Sequence, residues 1–290
     1  MRNFEELKEL LTEIKGNDYA VPTGVDVDDV IADMLKFIGH TDAELRDKLI
    51  YGTFLEWGEY KGIISGEKMK EILATVLSET HLFYRIGETD TDSVFTRAFS
   101  SLVIPVAMMI HDENPFLTVK EIHDIKATVI RYVEQEKDYR GFVDGKGWAH
   151  SVAHIADAID HIAYVSDKAI DFDGDDHFGV AGLSELLQAI KLLVRNRDCI
   201  YATGEEDRLA TAVMSIIWRE VLTNEDIIAW IDSFNMSDNT LWGRKSLADF
   251  QEFTNCKNFM RSLYFKLLAD GDYKEICDHM LNFLVEKDED

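Results

Sequence analysis

Residues Tyr139–Val165 read YRGFVDGKGWAHSVAHIADAIDHIAYV. A polar, glycine-containing turn runs into a helix that carries His150, His154, Asp157 and His161. Their offsets from His150 are 4, 7 and 11 residues. At ~100° per residue the four side chains fall within about 60° of one another, on one stripe. A stripe that packs into a helical core is normally apolar. This one is ionisable, so it marks where a site would lie without naming what the site serves.

On either side of this stretch apolar residues recur with the helical period, and almost no segment alternates as a strand would. Toward the N-terminus, helices are expected over 4–14, 25–38, 67–80, 93–110 and 119–135. A further long helix opens at the capping-box pattern Thr41–Glu44 and runs to about Tyr60. Pro105 should kink the helix it occupies. Toward the C-terminus, helices are expected from Phe178 to about Arg197, then over 205–222, 224–234, 246–269 and 273–285. Only 3 prolines and 17 glycines interrupt the chain, which favours long helices.

Arg46, Arg97 and Trp148 each stand near the start of a long helix, 51 residues apart, and Arg208 follows Trp148 by 60 residues. That is the size of a helical-hairpin repeat. The expected architecture is therefore all-α, an α-α superhelix of helix pairs, HEAT-like, with a concave face. A closed α/α toroid is the alternative, and a globular bundle the third arrangement. No boundary rich in Pro, Gly or Ser divides the chain, so residues 1–290 read as a single domain. It has irregular helices over 1–40, repeat-like pairs over 41–234 and closing helices over 243–286, with a frayed tail beyond. The weakest joints are 172–178 and 235–243.

Hydrophobic residues make up 46% of the chain, enough for a sizeable core. Lys and Arg total 30 against 55 Asp and Glu, a net charge of −25. A field of that sign repels phosphate backbones and anionic lipid, so neither nucleic acid nor a membrane is an expected partner. Cys199, Cys256 and Cys277 have no CxxC spacing and are expected as free thiols in a reducing compartment. The acidic, amphipathic start MRNFEELKELLTEI is not a signal peptide, and the longest apolar run, Leu102–Ile110, is far short of a bilayer span. A soluble, cytoplasmic protein is the expectation.

Three readings compete for the central helix. His residues at i and i+4 can share one divalent metal, which makes His150, His154 and Asp157 candidate ligands. His150 and His161 lie about 16 Å apart along a helix, so the remaining ligands would come from elsewhere. Glu136, Asp138 and Asp112 are the nominees. The second reading is a pocket. Trp148 offers a flat wall, Gly145 and Gly147 allow close approach, and Arg140 and Lys146 add positive charge beside a helix N-terminus that attracts anions. Arg97 and Arg208 flank the stripe and could project into the same cleft, or be buried ion pairs instead. The third reading is structural, with the histidines packed between helices and Arg140 paired to a nearby aspartate. Asp171-x-Asp173-x-Asp175 lacks the glycine and glutamate of a calcium loop and reads as a solvated turn. No P-loop, GxSxG or GxGxxG is present.

The run Glu136-Lys-Asp138-Tyr-Arg140-Gly141, followed by Gly147-Trp148-Ala149-His150, Ala153-His154 and Asp157, resembles the signature of a bacterial family, domain of unknown function 2785. Thr96–Ser100 and Glu206–Ala210 resemble its flanking motifs, and the likeness spans Asp42 to Phe234. The resemblance implies a soluble, all-helical bacterial protein and implies no reaction. The leading expectation is a binding protein whose concave face carries a pocket from Arg97, Arg140, Lys146, Trp148, His150, His154, Asp157 and Arg208. It would take a small anionic ligand or a peptide or protein partner. The alternative is a metal-dependent hydrolase working through His150, His154 and Asp157.

Overall fold

The computed structural model describes residues 2–165, 168–171, 173–174, 178–235 and 244–285. Several helices start at a side chain that caps them. Asn3 with Glu6 opens α1 (Phe4–Gly16), and Asp26 caps α2 (Val27–Phe37). Next comes one continuous helical stretch. It is π-helical over Glu44–Tyr51, α-helical over Gly52–Leu55 (α3), and π-helical again over Glu56–Tyr60. Then follow α4 (Gly66–Val76), α5 (Ser93–Ser101), α6 (Val103–Glu113) and α7 (Val119–Gln135). A two-stranded hairpin, β1 (Phe142–Val143) with β2 (Gly147–Trp148), precedes α8 (Ser151–Tyr164). The rest is α9 (Gly179–Val194), α10 (Glu205–Ile217), α11 (Asn224–Asp232), α12 (Leu247–Asp270) and α13 (Lys274–Leu284). The protein is all-α apart from that hairpin.

The kink expected at Pro105 appears as a break at Leu102 between α5 and α6. Proline has no N–H to give to the carbonyl four residues earlier, at Ser101, and its ring crowds that carbonyl. By length and composition 93–113 could cross a membrane, with a mean hydropathy of 1.6, but 89% of that window is buried inside the protein. It is core.

The helices form a row in which each packs on the next. The 44–60 stretch meets α5 and α6, these meet α8, α8 meets α10, and α10 meets α12. A second set flanks it, with α4 on α6, α7 on α8 and α9, α9 on α10, and α11 on α13. Several polar bonds between helices span similar sequence distances. Lys70 reaches Glu121 across 51 residues, His154 reaches Ala98 across 56, Arg208 reaches Asp157 across 51 and Trp218 reaches Asp270 across 52. The core follows the row through Trp57, Phe54, Phe99, Tyr132 and Phe259, all at most 2% exposed.

The 51-residue spacing read in the sequence does not mark equivalent sites. Arg46 lies in the π-helical stretch and Arg97 in α5, both fully buried, whereas Trp148 lies in β2, before its helix begins. Asp171 of the supposed acidic turn accepts the Val119 N–H at 2.7 Å, and so extends the capping of α7. The rest of that turn at 172 and 175–177, the loop at 236–243 and the tail at 286–290 lie outside the described residues.

Candidate functional site

The segment leading into α8 is held by two buried carboxylates. Glu136 ends α7 and takes Arg97 in a bidentate pair, Nε at 2.6 Å and Nη2 at 2.8 Å. It also accepts the Tyr132 hydroxyl and the N–H groups of Lys137 and Asp138. The rest of the Arg97 guanidinium donates to Ser93 Oγ and to the carbonyls of Tyr84, Arg85 and Glu88. Of the two readings of Arg97, pocket cation or buried ion pair, the structure gives the second: fully buried, with its donors spent on the protein, it fastens 84–88 to the end of α7. Asp138 similarly takes Arg140 through Nε at 2.8 Å and Nη2 at 2.6 Å, and Arg140 also donates to the Thr91 carbonyl. Lys146 pairs with Asp92 at 2.6 Å. The positive charges read as an anion pocket therefore belong to internal pairs. The α8 N-terminus is covered as well, because Ser151 Oγ donates to the Asp138 carbonyl and residues 151–153 are all buried.

Two glycines let this segment lie where it does. A Cβ on Gly141 would sit 1.9 Å from Thr203 Oγ1, and Gly147 has φ +78° with Ala43 Cβ 2.7 Å from where its own would be. The hairpin thus presses onto the π-helical stretch. There Arg46 Nη2 donates to the carbonyls of Lys146 (2.7 Å) and Trp148 (2.9 Å), and Nη1 donates to the His40 carbonyl. The guanidinium lies 4.2 Å from the Phe95 ring centre and 4.7 Å from that of Phe99. Burial pulls its pKa down to about 10.

His150 is not in the helix. It occupies the N-cap with φ 56°, in the left-handed region, so the even stripe drawn from helical angles begins at His154. Its ring stacks on Trp148, centroids 4.5 Å apart, and Trp148 meets Phe142 edge-on at 4.9 Å. Nε2 of His150 donates to the Thr203 carbonyl at 3.1 Å, with Glu205 Oε1 3.5 Å away. Burial lowers its pKa despite Glu205. His154 touches His150 ring to ring at 5.7 Å and donates from Nδ1 to the Ala98 carbonyl. That bond leaves Nε2 as the acceptor. Burial, with His150 adding to it, takes the His154 pKa down to about 3, so the ring is neutral. One turn on, Asp157 Oδ1 accepts from Arg208 Nη1 at 2.8 Å, and burial raises its pKa in spite of that partner. His161 donates from Nδ1 to the Asp157 carbonyl, a bond within α8.

Facing this edge of α8 are groups the sequence did not single out. Asp47 and Tyr51 come from the first π-helical segment and Glu59 from the second. Burial raises the Asp47 pKa, with Arg46 and His150 acting against it. Burial, then the Asp157 charge, pushes the Tyr51 hydroxyl up to about 12. Among the described residues no hydrogen bond or ion pair reaches the Asp47 carboxylate or the Tyr51 hydroxyl. The result is a seam of Asp47, Tyr51, His150, His154, Asp157 and Arg208 between three elements. π-helical turns are rare and concentrate at functional sites, but a 3.6-residue pattern search cannot see them.

Two cavities lie near the seam, though none of its six residues lines either. One of about 610 Å³ lies beside Asp138, Arg140, Phe142, Thr203 and Glu205. One of about 340 Å³ lies at the far end, beside Glu59, Asp160 and His161. The metal arrangement expected of His150, His154 and Asp157 does not assemble. The carbonyl bonds of His150 and His154 leave each ring one nitrogen, but Asp157 is held by Arg208. The nominees Glu136, Asp138 and Asp112 are held by Arg97, Arg140 and Lys168. Among the described residues no three His, Cys, Asp or Glu side chains are grouped to hold an ion.

Fold and site together define a class: an all-α protein of packed helices with an ionisable seam along its central helix. Residues 82–265 match the model of a family described as a protein of unknown function, DUF2785, and the chain belongs to that family. The match begins later and ends later than the motif-based span of 42–234. No curated protein and no solved structure matches the chain.

Proposed function

We propose that this chain is a binding protein, a HEAT-like superhelical stack of helix pairs that takes an extended peptide segment of a partner along the seam. The observation that carries this reading is the Asp157–Arg208 pair. It joins α8 to α10 yet leaves Arg208 56% exposed and near Tyr51, with Asp47 near His150, and among the described residues no hydrogen bond or ion pair reaches the Asp47 carboxylate or the Tyr51 hydroxyl. A peptide presents donors and acceptors at short intervals, which suits a seam that offers both signs. A small anion is served less well, because Arg97, Arg140 and Lys146 are neutralised within the protein. The Trp148–His150 stack supplies a flat wall at one end. A net charge of −25 supports a soluble, cytoplasmic setting away from nucleic acid and lipid.

The test is selection from a random peptide library on the wild-type chain, followed by titration of the selected peptides against Arg208→Ala. An acidic or mixed-charge consensus with a loss of about tenfold in the variant is expected, about 1.4 kcal/mol. Peptides that bind the variant as well as the wild type would place recognition elsewhere.

A further inference from the structure

The 610 Å³ cavity runs beside a stretch of backbone with an unused edge. Residues 198–203 line one part of it and 137–142 another. From Cys199 to Ala202 the chain forms no helix or turn, and its burial alternates: Tyr201 is buried, while Ile200 and Ala202 are exposed. That is the period of an extended strand. In such a strand the N–H and C=O of one residue point to one side, and those of the next residue to the other. One side is already taken. The buried Asn255 of α12 accepts the Tyr201 N–H at 2.9 Å and donates to the Cys199 carbonyl at 2.9 Å. The other side belongs to Ile200 and Ala202. Among the described residues no hydrogen bond reaches the N–H or the C=O of either. In the second lining segment the N–H and C=O of Tyr139 are equally unused among the described residues.

We propose that an extended segment of a partner polypeptide pairs with this edge as an added strand. Ile200 and Ala202 each offer a donor and an acceptor, repeated at ~6.6 Å along the chain, and a second extended backbone meets all four. A small anion would use the donors and leave the carbonyls unmet, and a cation would do the reverse. Fixed from behind by Asn255, the edge is in place before a partner arrives, which lowers the ordering cost of binding. Ile200 and Phe142 line the cavity half exposed, and they favour a β-branched or aromatic residue in the incoming strand. The edge uses none of the six seam residues and stands whether or not the seam takes a peptide.

The probes are acetylated octapeptide amides taken from a random library by their retention on the full wild-type chain. Each is titrated by calorimetry against wild type, Ala202→Pro and Arg208→Ala, and again after N-methylation at each of its residues in turn. Peptides are expected that lose tenfold or more with Ala202→Pro, ignore Arg208→Ala and tolerate N-methylation only at every second residue. Their binding should slow hydrogen exchange of the Ile200 and Ala202 amides at least tenfold. Ala202→Pro removes no internal hydrogen bond and keeps Tyr201 extended, so its melting temperature should hold. If it fails to fold, the exchange and the N-methylation pattern decide. Peptides that depend on Arg208 alone, with exchange at Ile200 and Ala202 unchanged, would keep the seam reading and overturn this one. So would the absence of any retained peptide. A dimer in sedimentation, with both amides protected before peptide is added, would give the edge to a second copy and overturn the peptide assignment.

Discussion

Arg97 and Arg208 each face a carboxylate from a neighbouring helix, and the two pairs serve different ends. Arg97 is fully buried, and all three of its nitrogens are used by Glu136, Ser93 and backbone carbonyls. Glu136 is equally saturated. Among the described residues Arg208 makes one charged contact, to Asp157, and it remains open to water. A closed network fixes geometry and has nothing left to offer a ligand. An open pair next to unpaired Asp47 and Tyr51 can exchange partners. An arginine meets a carboxylate in both places. The difference lies in how many of the polar atoms the fold has already satisfied.

The comparison can be broken most decisively at Arg97. Arg97→Ala strands Glu136 as a buried charge and should cost about 3–5 kcal/mol in urea unfolding. A loss below about 1 kcal/mol would mean that Glu136 finds water or a proton, and the closed network would not be the anchor described.

A smaller effect is expected from acid. The pKa of His154 is depressed to about 3 in the folded chain, so the folded state excludes a proton that the unfolded state takes up near pH 6.5. Its contribution is complete above about pH 6.5 and is lost progressively as pH falls toward about 3, reaching about 2 kcal/mol at pH 5. Asp47 and Asp157, with raised pKa values, act in the opposite sense at lower pH. Comparing the pH slope of wild type with that of His154→Leu isolates the histidine. Equal slopes would contradict a neutral, buried ring.

The smallest effect belongs to Arg208→Ala. With Arg208 more than half exposed, stability should change by only about 0.5 kcal/mol, while peptide binding falls. A large loss of stability without a binding phenotype would move Arg208 into the same class as Arg97 and leave the seam a structural joint.

Much of the helical content was legible in the chain. Capping residues at Thr118 and Ser246, the break before Pro105 and the ionisable character of α8 all follow from local chemistry. Which charges remain available did not follow. Arg97 and Lys146 have partners 39 and 54 residues away in sequence, which only the fold brings into register, whereas Arg140 takes Asp138, one of the nearby aspartates the sequence offered. His150 was misplaced because a left-handed N-cap interrupts the helical angle. Asp47, Tyr51 and Glu59 went unseen because a π-helical turn redirects side chains away from the 3.6-residue pattern.

By itself, then, the sequence determined the all-α class, the placement of most helices and the family motif, since propensity, capping and hydrophobic period act over a few residues. Only the tertiary structure decided which ionisable groups are spent on one another and which face open space. Satisfying a buried charge depends on partners that are remote in the chain, and burial sets how strongly each must be satisfied.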